Sequence, residues 1–404
     1  MSRTVYLGQD CYYVGASDMR LSRFENMIPL THGVSYNSFL ILDEKTCVLD
    51  TVDRAVVQDF IANVQNVLDG RKLDYLVIQH MEPDHCAGIV ELLRLYPEIK
   101  LIGNTKTFML LKQFRGVEVP DQQIIVKEGD VLDLGKHKLQ TIMAPMVHWP
   151  EVLFHYDQYT QTIYTADAFG CFNYLTGSVW SDQVNYDEYW LPEARRYYLN
   201  IVGKQGANVE KVLKKAEDLE IKQIMPLHGV FHRDPEIIAK LINLYKTWGS
   251  FEPEEKGIVF VYSSMYGNME ALCLKLSDLL AERGIGPIGM YDVSHTDESY
   301  ILTECFRYSH AVFGVVNHNT QLYHKMDAFL HLLAATNYSK RKVSILASKS
   351  WGGQAAKQAR EQLEAMKGIE IIGDTFEILS TYNEETQAEA LAQLADQICE
   401  SFNA

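Results

Sequence analysis

The sequence predicts an α/β protein in two parts, and three observations carry that prediction. Apolar runs of strand length alternate with helical patterns along the whole chain. The alternation changes character after a polar, Pro- and Gly-containing segment at 249–257. A cluster of metal-ligating side chains stands where the expected strands of the first part end. A length of 404 residues also favours two domains over one.

In the first part, residues 1–250, strands are expected at 38–43, 46–50, 73–79, 100–103, 123–126, 138–143, 162–166 and 223–227. Helical periodicity is read at 55–68, 88–96, 105–114, 191–201 and 206–218. Strands mixed with covering helices indicate sheets buried on at least one face.

In the second part, residues 257–404, strand and helix alternate five times. Strands are expected at 258–263, 286–293, 310–316, 342–347 and 369–379, and helices at 268–283, 298–308, 322–336, 354–366 and 384–401. Continuous apolar strands separated by helices imply a parallel sheet covered on both faces. This is a five-stranded doubly wound domain, whose ligand would lie beyond the carboxyl ends of the strands.

Composition narrows the function classes. Lys+Arg 37 against Asp+Glu 53 leaves −16, which argues against non-specific binding to nucleic acid or anionic membrane. No apolar run approaches the roughly 18–20 residues of a membrane span, and the N-terminus has no signal-peptide pattern. Seven scattered cysteines without a CxxC pair fit reduced thiols in a cytoplasm and exclude a rubredoxin-type module in this chain. Cys86 and Cys171 lie beside candidate ligands and are read as buried bystanders.

The most informative stretch is His80-Met81-Glu82-Pro83-Asp84-His85, at the end of the run 73–79. Three further candidates, His148, Asp167 and His228, each follow a strand-like run. Seven imidazole and carboxylate ligands at strand ends can converge on one sheet edge and hold two metal ions. The absence of thiolate suits zinc or non-haem iron, and several carboxylates favour a redox-capable or two-metal site. His137 and His155 carry no such pattern and are assigned no function.

With these residues in place, the first part resembles the metallo-β-lactamase superfamily, an αββα sandwich. Its hydrolase members place a second histidine where this chain has Glu82, and a carboxylate there favours iron over zinc. An HxExDH loop ahead of a doubly wound domain is similar to the flavodiiron proteins over essentially the whole chain. The resemblance implies that His80, Glu82 and His148 hold one iron and that Asp84, His85 and His228 hold the other, with Asp167 bridging. In some relatives the equivalent of His85 swings away from the metal. Many relatives carry a histidine where Phe24-Glu25-Asn26 stands here, which puts Glu25 near the pocket.

In the second domain, Ser263-Ser264-Met265-Tyr266-Gly267-Asn268 joins the first strand to its helix, where backbone N–H groups and the helix dipole would favour a phosphate. The loops Val316-Asn317-His318-Asn319 and Ser348-Lys349-Ser350-Trp351-Gly352 follow the third and fourth strands. The resemblance implies a flavodoxin-like domain that binds FMN, with the phosphate on the first loop and the isoalloxazine between the other two. Val315, Val316, Asn317, Lys349, Ser350 and Met269 depart from the residues usual in that family.

The expected function is that of a cytoplasmic oxidoreductase reducing dioxygen to water, nitric oxide to nitrous oxide, or both. Electrons would pass from FMN to the two irons. The resemblance also implies a donor such as rubredoxin, a reduced deazaflavin or a reductase. It implies a head-to-tail homodimer or a tetramer, because flavin and metals of one chain lie far apart in that family. A dinuclear zinc hydrolase and a non-catalytic redox or flavin sensor are the rival readings.

Overall fold

The structure is a computed structural model describing residues 3–403. The expected outer limits of the two domains, residues 1 and 404, lie outside the described residues. The chain divides into two compact units between Lys246 and Thr247. The helix Pro235–Gly249 crosses that point, and the next strand begins at Glu255.

The first unit is built on two sheets. One runs, in spatial order, through Val5–Gly8, Cys11–Tyr13, Phe39–Leu42, Thr46–Leu49, Tyr75–Val77, Lys100–Gly103 and Gln123–Ile125. The other runs Val131–Asp133, Lys138–Met143, Leu153–Asp157, Thr162–Tyr164 and Gln223–Met225. Their inner faces meet through Phe39, whose ring lies 5.3 Å from Tyr164 and 5.2 Å from Phe231. Helices cover the outer faces. Val57–Leu68 buries Val57, Phe60, Val64 and Leu68 at helical spacing, after a short 3₁₀ turn in which the Asp53 side chain accepts from the Ala55 N–H. Thr105–Arg115 starts in a capping box of Asn104 and Thr107 and stops at Gly116 in the left-handed region.

Gln79 stitches the two sheets together at one end. Its side-chain amide donates to the Leu153 and Tyr164 carbonyls at 3.1 and 2.9 Å, and its own carbonyl accepts from Leu153 N–H at 3.0 Å. The stitch sits one residue before His80, so the candidate ligand loop leaves from a point where the two sheets are hydrogen-bonded together.

The second unit is a doubly wound parallel sheet ordered Ile288–Asp292, Glu255–Tyr262, Tyr308–His318, Arg341–Lys349, Ile369–Ile371. Ile258, Phe260, Val312 and Leu346 from the strands pack with Leu272, Leu276, Leu391 and Ile398 from helices. Two features correct the expectation from sequence. The fifth strand is not continuous over 369–379. It breaks into Ile369–Ile371 and Phe376–Leu379 around Gly373, whose φ of +73° takes the chain out of the strand, and both pieces pair with Arg341–Lys349. The third strand also runs on to His318 and turns back as Gln321–Leu322, so a short hairpin stands where a loop was expected. Among the described residues, no helix is long and apolar enough to cross a membrane.

Candidate metal centre

All seven predicted ligands meet at one end of the first unit. His80 to His85 follow the strand Tyr75–Val77, with Pro83–Cys86 forming one short helical turn that turns Asp84 and His85 inward. His148 lies in the loop between Lys138–Met143 and Leu153–Asp157, Asp167 follows Thr162–Tyr164, and His228 follows Gln223–Met225.

They form two groups. In the first, His80 Nε2 lies 3.1 Å from Glu82 Oε2 and 3.3 Å from His148 Nε2, and His148 Nε2 lies 3.1 Å from Glu82 Oε2 and 3.0 Å from Asp167 Oδ2. In the second, His85 Nε2 lies 3.0 Å from His228 Nε2 and 3.4 Å from Asp84 Oδ2, and His228 Nε2 lies 3.5 Å from the same oxygen. Asp167 belongs to both: its Oδ1 faces His85 at 3.2 Å while its Oδ2 faces His148. Each group is a set of ligand atoms within 4.8 Å of one another.

The chemistry of these donors fits cations. Imidazole Nε2 atoms pointing at each other place lone pair against lone pair unless a proton or a metal lies between them. Three carboxylates share this buried space, and neither oxygen of Asp84 accepts a hydrogen bond from any described residue. Burial raises Asp84 to about 7, His85 opposes that, and Glu82 and Asp167 add to it. Burial also pushes Asp167 up, but His80, His85 and the His148 bond outweigh it and hold the carboxyl well below its usual range. His228 is pushed down to about 4 by burial and by His85 beside it.

The outer contacts fix which ring nitrogen faces inward. His80 Nδ1 donates to Glu151 Oε1 at 2.8 Å, and His228 Nδ1 donates to the Ser35 carbonyl at 2.8 Å, leaving both Nε2 atoms for the centre. Glu151 also accepts from Met81 N–H at 2.9 Å, and Asp50 accepts from the N–H groups of Gln79 and His80 at 2.8 and 3.2 Å. Sequence reasoning missed Glu151, although it stands three residues beyond His148. It also missed Tyr197, whose ring lies 5.4 Å from His228. Burial, with Asp167, Asp84 and Glu82, pushes that phenol well above its ordinary value.

A cavity of about 570 Å³ opens beside the second group, lined by Phe24, Glu25, Tyr36, Glu82 and Asp84 among others. Glu25 and Asn26 are the central residues of a tight turn with φ of +50° and +56°, closed by Met27 N–H to the Phe24 carbonyl at 2.9 Å. Partial burial, the bond to Glu82 and the charge of Glu82 raise Glu25 to about 8.

In the second unit a cavity of about 470 Å³ lies at the carboxyl ends of the first, third and fourth strands. It is lined by Ser264, Met265, Tyr266, Asn268, Val316, Asn317, His318, Asn319, Ser348, Lys349, Ser350, Trp351 and Gly352, with Met269, Thr320 and Ser380 in addition. Ser263 does not line it: the residue is fully buried and its hydroxyl donates to the Gly314 carbonyl. Gly267 is also absent from the lining, since its contribution is a backbone turn at φ +85° that leads into helix Asn268–Glu282. Gly267 ahead of that helix offers no side-chain cap, and of the first-turn N–H groups that of Glu270 donates to Ser264 Oγ at 3.3 Å. Tyr266 and Trp351, 89% and 87% exposed, stand at the mouth.

Residues 34–229 match the model of the ODP family beta lactamase. The chain is 31% identical over 380 residues to the nitric oxide reductase of Moorella thermoacetica, spanning 93% of this chain and 92% of that one. In fold it is similar to rubredoxin oxygen:oxidoreductase from Desulfovibrio gigas, with a TM-score of 0.92, 22% identity and 99% of each chain covered. It is also similar to the flavodiiron protein from Giardia intestinalis, with a TM-score of 0.89, 23% identity and coverage of 100% of this chain and 99% of that one. Both units match at once, the lactamase-like sandwich and the flavodoxin-like sheet. The chain belongs to the flavodiiron protein family.

Proposed function

We propose that this protein is an oxidoreductase that reduces dioxygen to water, nitric oxide to nitrous oxide, or both, using two non-haem irons and FMN. The observation that carries the reading is Glu82, whose Oε2 stands 3.1 Å from both His80 and His148 in the position where zinc hydrolases use an imidazole. An oxygen ligand with negative charge favours iron and compensates a higher metal charge. The kinship to a nitric oxide reductase and the likeness in fold to a rubredoxin oxygen:oxidoreductase support the same class of chemistry.

When bound, the irons would supply diatomic binding and reduction, and FMN would supply electrons one or two at a time. His80, Glu82 and His148 would hold one metal, Asp84, His85 and His228 the other, and Asp167, which faces both groups, would be shared between them. Glu151 and the Ser35 carbonyl keep two of the imidazoles in the tautomer that presents Nε2. Reduction of either gas consumes protons, and two groups beside the centre would relay them: the Glu25 carboxyl, bonded to Glu82 in the metal-free protein, and the Tyr197 phenol. In the second unit the loops at 264–268, 316–319 and 348–352 would hold FMN, with its phosphate at the start of helix Asn268–Glu282.

Exposed aromatic side chains, Tyr266 and Trp351, rim the cavity of the second unit. Such rims fit surfaces that are covered in an assembly, which supports a head-to-tail homodimer or tetramer with FMN of one chain beside metals of its partner. Rubredoxin, a reduced deazaflavin or a reductase would supply the electrons.

The test combines metal and flavin analysis with steady-state consumption of each gas under one competent donor. Two irons, one FMN and turnover of at least one gas are expected. Two zinc ions with esterase activity would replace the reading by a hydrolase. An iron- and flavin-loaded protein inert to both gases would replace it by a sensor.

A further inference from the structure

The third-strand segment of the flavin cavity is a fastened hairpin. Asn317 pairs with Leu322 and His318 with Gln321, and Asn319 and Thr320 form the turn with φ of +50° and +64°. Two positive φ values in succession are the signature of the tight turn that matches strand twist. The hairpin is tied to the helix Ala355–Glu364 and the residue before it. Gln354 N–H donates to the Thr320 carbonyl at 2.9 Å, and Leu322 N–H donates to Gln358 Oε1 at 2.8 Å.

One side chain joins this hairpin to the opposite wall. Asn317 Nδ2 donates to the Ser348 carbonyl at 3.1 Å, and Asn317 Oδ1 accepts from Ala355 N–H at 3.0 Å. The amide therefore holds both ends of the 348–355 segment, and both of its polar groups are engaged by protein partners. Gly353 packs directly on it: a Cβ at that position would lie 1.8 Å from Asn317 Oδ1 and 2.2 Å from its Cγ. The far wall is braced independently, by Ser380 Oγ to Ser350 Oγ at 2.9 Å and Lys349 Nζ to Glu377 Oε2 at 2.6 Å.

We propose that Asn317 is the positioning residue of the flavin site, fixing the gap between the 317–320 and 348–352 walls so that the slot exists before the isoalloxazine enters it. The assignment rests on the FMN reading above. A preformed slot avoids the cost of ordering two loops on binding, and the two bonds of the amide are made within the protein itself. The absence of a side chain at Gly353 is part of the same device.

The experiment titrates FMN into flavin-free full-length protein, following quenching of flavin fluorescence, for wild type, Asn317→Ala, Gly353→Ala and the double variant. Each single substitution is expected to weaken FMN about tenfold and to change the visible circular dichroism of the bound flavin, while iron content stays at the wild-type level. The double variant is expected to bind no worse than either single one, because the added methyl strikes an amide that is no longer there. Asn317→Asp keeps the acceptor for Ala355 but sets a carboxylate against the Ser348 carbonyl, so it should also weaken binding. Wild-type affinity and dichroism in Asn317→Ala would overturn the assignment. So would single losses that multiply to about a hundredfold in the double variant, since the two positions would then act separately. Wild-type protein that binds no FMN would overturn the flavin reading itself.

Discussion

Removing the Glu151 carboxylate isolates the support of the metal centre from its ligands. In Glu151→Ala the His80 Nδ1–H and the Met81 N–H both lose their acceptor inside a fully buried environment. A buried donor without a partner costs about 1–3 kcal/mol, so the two together would destabilise the metal-free protein by ~2–6 kcal/mol at most. The effect on metal is separable. His80 would no longer be held in the tautomer that presents Nε2, and loss of such outer partners weakens metal binding about 10–100-fold. Glu151→Gln retains one acceptor oxygen and should lose less. Burial raises the Glu151 carboxyl, but the His80 bond, the His80 charge and the Met81 N–H together hold it below its ordinary value. A depressed carboxyl contributes stability above its unfolded value of about 4.3 and loses it as pH falls through the folded value. The wild-type advantage over Glu151→Ala should therefore shrink under acid. Competition for iron against a chromophoric chelator, with thermal melts from neutral to acidic pH, measures both quantities. Unchanged iron affinity in Glu151→Ala would show that His80 does not depend on this carboxylate.

Three further outcomes are expected. In metal-free protein burial lowers His85 and His148, but neighbouring carboxylates more than reverse this and bring each to about 9; metal loading at pH 7 should therefore release protons, read by calorimetry in buffers of different ionisation enthalpy. The same raised groups stabilise the metal-free fold below about 6.5 and lose that contribution as pH rises through about 9, so its melting temperature should fall over this window. Gly229→Ala would place a methyl 2.1 Å from Cys171 Sγ at a φ of +75°, so His228 should be displaced, with about 1–3 kcal/mol lost to overpacking and iron of the second group released; Cys171→Ala in the same chain should restore part of both, measured by melts and iron content.

The legible parts of the sequence were those in which residue type and position coincide. His80 to His85 could be read because four ligand residues crowd one strand end, and His148, Asp167 and His228 because each follows an apolar run. Glu151 could not, since a glutamate in a loop looks like any solvated one until the fold buries it against His80. The first 36 residues hold strands of two to four positions, such as Cys11–Tyr13 and Arg23–Phe24, too short for any periodicity. Leu153–Asp157 is buried on both faces and includes His155 and Asp157, so it shows neither alternation nor an apolar run. The helix Pro235–Gly249 did carry a signal, Asp234 accepting from Glu236 and Ile237 N–H ahead of a Pro at the first position. In the flavin loops the hairpin was hidden because Asn319-Thr320 is an uncommon pair for two positive φ angles.

The Gln79 stitch gives the sandwich a mechanical link to its metal centre. Its amide grips carbonyls at Leu153 and Tyr164, while the adjacent His80 faces Asp167 on the opposite sheet. Each ligand group takes residues from both sheets, His80 with His148 and His85 with His228, so a sliding of one sheet over the other would distort both groups. Close-packed interiors resist such shear, so the aromatic contacts inside the sandwich, Phe39 against Tyr164 and Phe231, hold the two halves of each group in register. Substitutions there should therefore register as weaker metal retention, at positions that are not themselves ligands.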